Sequence, residues 1–140
     1  MNIIEDLRAL AGDKNVIENE PMSKHTTFRI GGNADVFVTP DSEKSLLDCV
    51  NYVRNNNIPY YIVGNGSNLI VKDNGFRGVI IQLYKNFADI EVDGNIITAK
   101  AGALLSAVAK TAMNNSLSGM ECLSGIPGTI GGAICMNAGA

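Results

Sequence analysis

The residues best placed to do chemistry in this sequence are Gly64, Asn65, Gly66, Ser67, Asn68 and Leu69. They stand between two apolar runs, Tyr60–Val63 and Ile70-Val71, and this pattern predicts a turn between two strands. Glycines at the first and third positions let successive backbone N–H groups point into one concavity, an arrangement that binds anions. The loop contains no lysine, so an anion there is held by backbone donors and by the side chains of Ser67 and Asn68. It is not a P-loop, because no Lys-Ser or Lys-Thr follows the glycines. Nor is it the G-x-G-x-x-G dinucleotide fingerprint: Gly64 and Gly66 fit the first two glycines, but Leu69 occupies the third and β-type residues follow. A third kind of phosphate loop or a plain tight turn is left, since Gly-Asn-Gly is ordinary turn chemistry.

A second glycine-rich segment lies near the end of the chain. Residues 119–139 hold six of the fifteen glycines, and the core of the segment is Ser124, Gly125, Ile126, Pro127, Gly128, Thr129, Ile130, Gly131, Gly132 and Ala133. Pro127 fixes its own φ, and Gly125 and Gly128 permit positive φ. Thr129 is positioned to cap a short helix over about 130–135. Gly131 and Gly132 remove side chains from the start of that helix, so a flat ligand or another backbone can lie against it. The segment is too apolar for a flexible linker. It reads either as a tightly packed turn or as a loop lining a ligand. One segment suits a pyrophosphate and the other a planar ring, and together they point to a dinucleotide cofactor held outside a Rossmann site.

The elements that must position these loops follow from periodicity. Ile3, Ile4, Leu7 and Leu10 predict a helix over 3–11, and the polar residues 12–27 are expected to be a connection. Ala34–Val38 predicts a strand. Asp41 is placed to cap a helix over 42–55 whose stripe is Leu46, Leu47, Val50 and Val53. Tyr60–Val63 is the next strand, so a parallel pair with a crossover helix is expected. Strands near 69–72 and 78–83 follow, then a hairpin with Asp93-Gly94 at its turn. A helix over 103–115 carries Leu104, Leu105, Val108, Ala109, Ala112 and Met113 on its apolar face. A β-α-β start, a mostly antiparallel middle and a further helix define an α+β fold.

Composition sets outer limits. The chain has 140 residues, 46% of them apolar and 18% charged, which suits one domain with its own core. A net charge of −3 argues against nucleic acid as a partner but leaves a phosphorylated small ligand open. Cys49, Cys122 and Cys135 show no metal-ligand spacing and suit the reduced thiols of a cytoplasmic protein. No basic, apolar leader and no run of membrane-spanning length is present, so no membrane partner is expected. The single histidine, His25, lies in a polar segment and reads as an ordinary surface or loop residue.

Four segments now stand in register: Thr26-Thr27-Phe28-Arg29-Ile30-Gly31-Gly32, then Gly64–Leu69, then Gly125–Ala133, then Met136-Asn137-Ala138-Gly139-Ala140. In this order and spacing the chain resembles the N-terminal part of the UDP-N-acetylenolpyruvoylglucosamine reductase family, also called UDP-N-acetylmuramate dehydrogenases. Each motif alone is weak; the ordered set is specific and spans nearly the whole chain. The resemblance implies an FAD-binding domain of the vanillyl-alcohol-oxidase type, built from two α+β subdomains, about residues 1–72 and an incomplete second one over 73–140. It implies non-covalent FAD, with Gly64–Leu69 on the pyrophosphate and Ser124–Ala133 along the ribityl chain and ring. NADPH is the implied co-substrate, and UDP-N-acetylglucosamine enolpyruvate the implied substrate, reduced to UDP-N-acetylmuramate in peptidoglycan precursor synthesis.

The family's catalytic Arg, proton-donating Ser and Glu lie beyond the stretch matched here. No catalytic residue is expected in this chain, and Ser67, Ser124 and Arg29 are not stand-ins. The expectation is an N-terminal fragment that lacks the substrate domain, binds FAD weakly or not at all, and is inactive alone. Arg29 is either a contact near the cofactor or an ion pair between elements. The alternatives are a non-catalytic FAD- or nucleotide-binding module and an FAD-linked oxidase of the same domain type. Such oxidases often attach FAD through a histidine, and His25 lies outside the usual setting for that link.

Overall fold

A computed structural model describes residues 2–139. Ala140, which closes the fourth motif, lies outside the described residues. Helix α1 (Ile3–Ala11) is capped by Asn2, whose side chain accepts from the Ile4 and Glu5 amides. Strand β1 (Val16–Pro21) follows and pairs antiparallel with β2 (Asn33–Val38). Residues 16–21 were expected to be part of a polar connection. They form a strand because Val16 and Glu20 turn inward while Ile17, Glu18 and Asn19 face solvent, a pattern poor in apolar residues.

Helix α2 (Glu43–Asn55) is capped by Ser42 through a capping box with Ser45, one residue after the expected Asp41. Its buried stripe is Leu46, Cys49, Val50 and Val53; Leu47 is 60% exposed and does not belong to it. Strand β3 (Tyr60–Val63) leads to the Gly64 loop. The chain then runs through residues 69–72 without joining a ladder, contrary to the expected strand there. That stretch is instead held by the Gly32 amide donating to the Lys72 carbonyl at 3.0 Å.

Strand β4 (Phe76–Gln82) inserts between β2 and β3, giving the order β1-β2-β4-β3 with β4 parallel to both neighbours. The expected β2/β3 pair is therefore parallel in direction but separated by β4, and the middle of the chain is less antiparallel than expected. Val79, Ile80 and Ile81 are all buried, as a central strand covered on both faces requires. Strand alternation divides the core. Val36, Val38, Val79 and Ile81 face α1 and α2, whereas Phe37, Ile80 and Val63 pack with Met22 and Ala34 on the other face.

Strands β5 (Ile90–Asp93) and β6 (Ile96–Ala99) form a separate two-stranded antiparallel sheet. Its turn is Gly94-Asn95, one residue later than Asp93-Gly94. Helix α3 (Leu105–Asn114) buries Leu105, Val108, Ala109 and Ala112, while Met113 is exposed. Helix α4 (Ile130–Met136) is capped by Thr129 as expected. The architecture is α+β. Strand β4 belongs to the first sheet, which therefore extends to Gln82.

Candidate functional site

The parallel strands β2, β3 and β4 all end on one side of the first sheet, and ligands of such sheets bind in the crevice outside their carboxyl ends. A cavity of about 570 Å³ opens there. Thr39 follows β2, Asn65 follows β3, and Gln82, Tyr84, Lys85 and Asn86 come from the end of β4; Lys24, His25, Thr26 and Thr27 close the other side. Its size falls in the range of small-molecule sites. Two lysines and several amide and hydroxyl side chains make it polar, with no carboxylate in its lining.

Of the Gly64–Leu69 loop, Asn65 lines the cavity. Gly66 has φ +69, a left-handed conformation, and a Cβ there would overlap the His25 carbonyl oxygen. The Gly66 carbonyl accepts from the Thr27 amide at 3.0 Å, and Gln82 Nε2 donates to the Gly64 carbonyl at 3.0 Å. Among the described residues the amides of Asn65, Gly66, Ser67 and Asn68 have no protein acceptor. These four consecutive donors, on a loop braced from below and beside, fit a diphosphate. Leu69 instead packs against the Phe37 side of the core.

The second glycine segment meets the first. A Cβ on Gly64 would overlap Thr129 Oγ1, so the two loops touch where that side chain is missing. Thr129 is 2% exposed, and its hydroxyl accepts from the Gly132 amide at 3.3 Å. Ser67 Oγ donates to the Pro127 carbonyl at 3.5 Å, and Gly128, with φ +126, stands across from Ser67. A short bridge pairs Leu104 with Thr129 and ties the segment to the start of α3.

Other expected residues are not drawn in. The Ser124 hydroxyl donates within its own turn, to the Glu121 carbonyl at 2.7 Å. Gly125 is exposed with open space beside it, and Ile126 and Ala133 are half-buried. The missing side chain of Gly131 is used against Ala101, whose carbonyl also accepts the Gly131 amide, so packing already explains that glycine. Gly132 serves the Thr129 cap. Helix α4 buries none of its residues, and Ile134 is 74% exposed.

Sequence reasoning missed the strap that underlies the loop. Thr26 is buried, and its hydroxyl donates to the Ile30 carbonyl at 2.9 Å. His25 is no ordinary surface residue: its ring stacks on Phe37 with centroids 4.0 Å apart, and Nε2 lies 2.9 Å from Glu20 Oε1. The only signal was the first motif itself, which places Thr26 and Thr27 beside Gly31-Gly32. Arg29 is exposed with φ +55 and forms no ion pair among the described residues. Lys85, Tyr84 and Gln82 carried no sequence signal, because only the insertion of β4 brings them to the crevice.

The chain shares its class with known proteins. Residues 34–140 match the FAD binding domain family, and the chain belongs to it. Across its length the chain is 47% identical to a UDP-N-acetylenolpyruvoylglucosamine reductase of Clostridium botulinum, with 99% of this chain and 45% of the relative covered. A namesake from Clostridioides difficile is 45% identical, with 99% of this chain and 46% of that protein covered. The chain thus spans a little under half the length of the curated relatives it matches. The crystal structure of UDP-N-acetylenolpyruvylglucosamine reductase from Thermus caldophilus superposes with a TM-score of 0.70 at 36% identity, over 86% of this chain and 42% of that one. p-Cresol methylhydroxylase, at 19% identity and a TM-score of 0.59 over 82% of this chain and 24% of that one, shares the fold.

No helix among the described residues is long and apolar enough to cross a membrane. No cluster of three metal-ligating side chains occurs among the described residues.

Proposed function

We propose that this chain is the diphosphate-holding part of an FAD-dependent reductase that uses NADPH to reduce UDP-N-acetylglucosamine enolpyruvate to UDP-N-acetylmuramate, in the cytoplasm. The observation that carries the reading is the run of four acceptor-free amides, Asn65 to Asn68, on a loop clasped between the Thr26-Thr27 strap and the Pro127–Thr129 turn. Identity above 45% to reductases of that name supports the substrate.

The chain's own residues bind and orient. The amides of Asn65–Asn68 offset diphosphate charge, and the side chains of Ser67 and Asn68 add donors. Lys24 and Lys85 make the crevice favourable for an anion. Ser124, Gly125, Ile126, Pro127, Gly128, Thr129, Gly131, Gly132 and Ala133 form the wall proposed to face the ribityl chain and ring. When bound, FAD supplies the hydride chemistry. In this reading the chain comprises two subdomains, about residues 1–72 and an incomplete one over 73–140, and the contact of Gly64 with Thr129 joins them.

Titrating the chain with FAD, ADP and FMN while following the Asn65–Asn68 amides by NMR tests this reading. FAD and ADP should shift these amides competitively and FMN only weakly, because FMN lacks the diphosphate. FMN shifts equal to those of FAD would refute it, and so would no response to millimolar FAD in a protein of the relatives' length carrying this segment. For the activity, a protein of the relatives' length carrying this segment should consume NADPH only when UDP-N-acetylglucosamine enolpyruvate is present.

A further inference from the structure

Glu20, His25 and Phe37 form a largely buried cluster to which the proposed function gives no role. Glu20 points inward from β1 and is 7% exposed. A carboxylate this buried requires hydrogen-bonding partners. It has two. Lys24 Nζ lies 3.4 and 3.3 Å from its oxygens but is largely in solvent, and His25 Nε2 lies 2.9 Å from Oε1. The carboxylate is acceptor-only, so the imidazole Nε2–H donates. The opposite side of the constraint is Phe37, 1% exposed, on whose ring the imidazole stacks at an interplanar angle of 22°. Two rigid neighbours therefore fix the His25 ring, one by direction and one by plane.

The backbone of the same residue supports the loop. The His25 carbonyl sits where a Gly66 Cβ would be, and two residues on the Thr27 amide bonds the Gly66 carbonyl at 3.0 Å. Among the described residues no other backbone hydrogen bond joins the strap to the loop. Gly32, at the strap's other end, bonds Lys72 instead, beyond the loop.

We infer that His25 is a positioning residue: the Glu20–His25–Phe37 stack sets the height of the Thr26-Thr27 strap and thereby the presentation of the Asn65–Asn68 amides to a diphosphate. The inference rests on reading Gly64–Leu69 as a diphosphate loop, but its first consequence concerns the strap alone.

The test compares His25→Gln with His25→Asn in the 140-residue chain. Glutamine carries a side-chain N–H close to where imidazole Nε2 stands and keeps the bond to Glu20. Asparagine places its N–H near the Nδ1 position, short of the carboxylate. Amide hydrogen exchange reads the strap. In His25→Asn the Thr27 amide should lose protection about tenfold, about 1.4 kcal/mol, while Gly32 stays within twofold of wild type. In His25→Gln both amides should stay within about threefold. ADP and FAD affinities should follow the same order, about tenfold weaker in His25→Asn and near wild type in His25→Gln.

Equal loss of Thr27 protection in both variants, or none in either, overturns the inference. So does a parallel loss at Gly32, which would mark general destabilisation. If a wild-type protein of the relatives' length shows no response to ADP or FAD, the diphosphate reading fails, while the Thr27 contrast in the 140-residue chain still decides whether the stack sets the strap.

Discussion

Replacing Gly66 by alanine separates backbone strain from the contact that shapes the site. Gly66 has φ +69, so an L-residue there pays the left-handed penalty of about 1–2 kcal/mol. Its new methyl would also overlap the His25 carbonyl oxygen and crowd the Thr26 Cα at 3.0 Å. Backbone cannot rotate out of the way as a side chain can, so loop and strap must part. Parting them breaks the Thr27–Gly66 hydrogen bond, worth about 0.5–1.5 kcal/mol net. The total is about 1.5–3.5 kcal/mol, which lowers a urea midpoint by about 1–2 M at a slope of about 1.5–2 kcal/mol per M.

Gly94→Ala is the matched control, because Gly94 also has positive φ (+57) but open space around it. It should lose only the strain, about 1–2 kcal/mol. Urea unfolding followed by circular dichroism, with FAD affinity measured by flavin fluorescence, gives both quantities. Gly66→Ala should be the less stable of the two by about 0.5–1.5 kcal/mol, and it alone should weaken FAD. Equal destabilisation by both variants, or unchanged FAD affinity in Gly66→Ala, would refute the reasoning that the strap and loop are locked at this point.

Three further outcomes follow from the geometry. Burial, helped by the Asp48 charge, pushes the Cys49 thiol up to about 11. Maleimide at pH 8 should therefore label the exposed Cys122 and Cys135 and spare Cys49 until denaturant is added, as read by mass spectrometry. The same shift has a sign for stability: between about pH 9 and 11 the folded chain holds a proton the unfolded chain has lost, so unfolding free energy should fall as pH rises through that window, and Cys49→Ala should flatten the slope. Thr129→Val keeps the shape but removes the acceptor for the Gly132 amide, and should cost about 0.5–2 kcal/mol and raise exchange of the α4 amides, while Thr129→Ser should keep both near wild type.

The legible part of the fold was the part written in local pattern. The stripe in 3–11, the alternation over 34–38, the apolar run at Tyr60 and the Thr129 cap depend on neighbours a few residues away, and each element stands where the pattern put it. What failed depends on distant residues. Strand β1 carries three charged or amide residues outward or inward in six positions, and its strand character comes from pairing with β2. The insertion of β4 is set by two-sided burial of Val79–Ile81, which a short apolar run shares with many other arrangements. The site followed the same rule. The glycines at 64, 66 and 128 announced close approaches, and close approaches are found there. Their partners, His25, Thr27 and Gln82, could not be named until the strands had been ordered.

The position of β4 also bears on how the chain is made. The sheet's middle strand is synthesised after its edge strand, and nineteen residues separate Val63 from Gln82. At about 5–20 residues per second the ribosome takes about 1–4 s to deliver them. Throughout that interval β2 and β3 have no strand between them, with their inner edges unpaired and available to other chains. Gln82, the last residue of β4, is also the one that ties down Gly64. Closure of the nascent sheet and setting of the Gly64 loop are therefore one event, and the growing chain has no fixed Gly64 loop until its most aggregation-exposed period has ended.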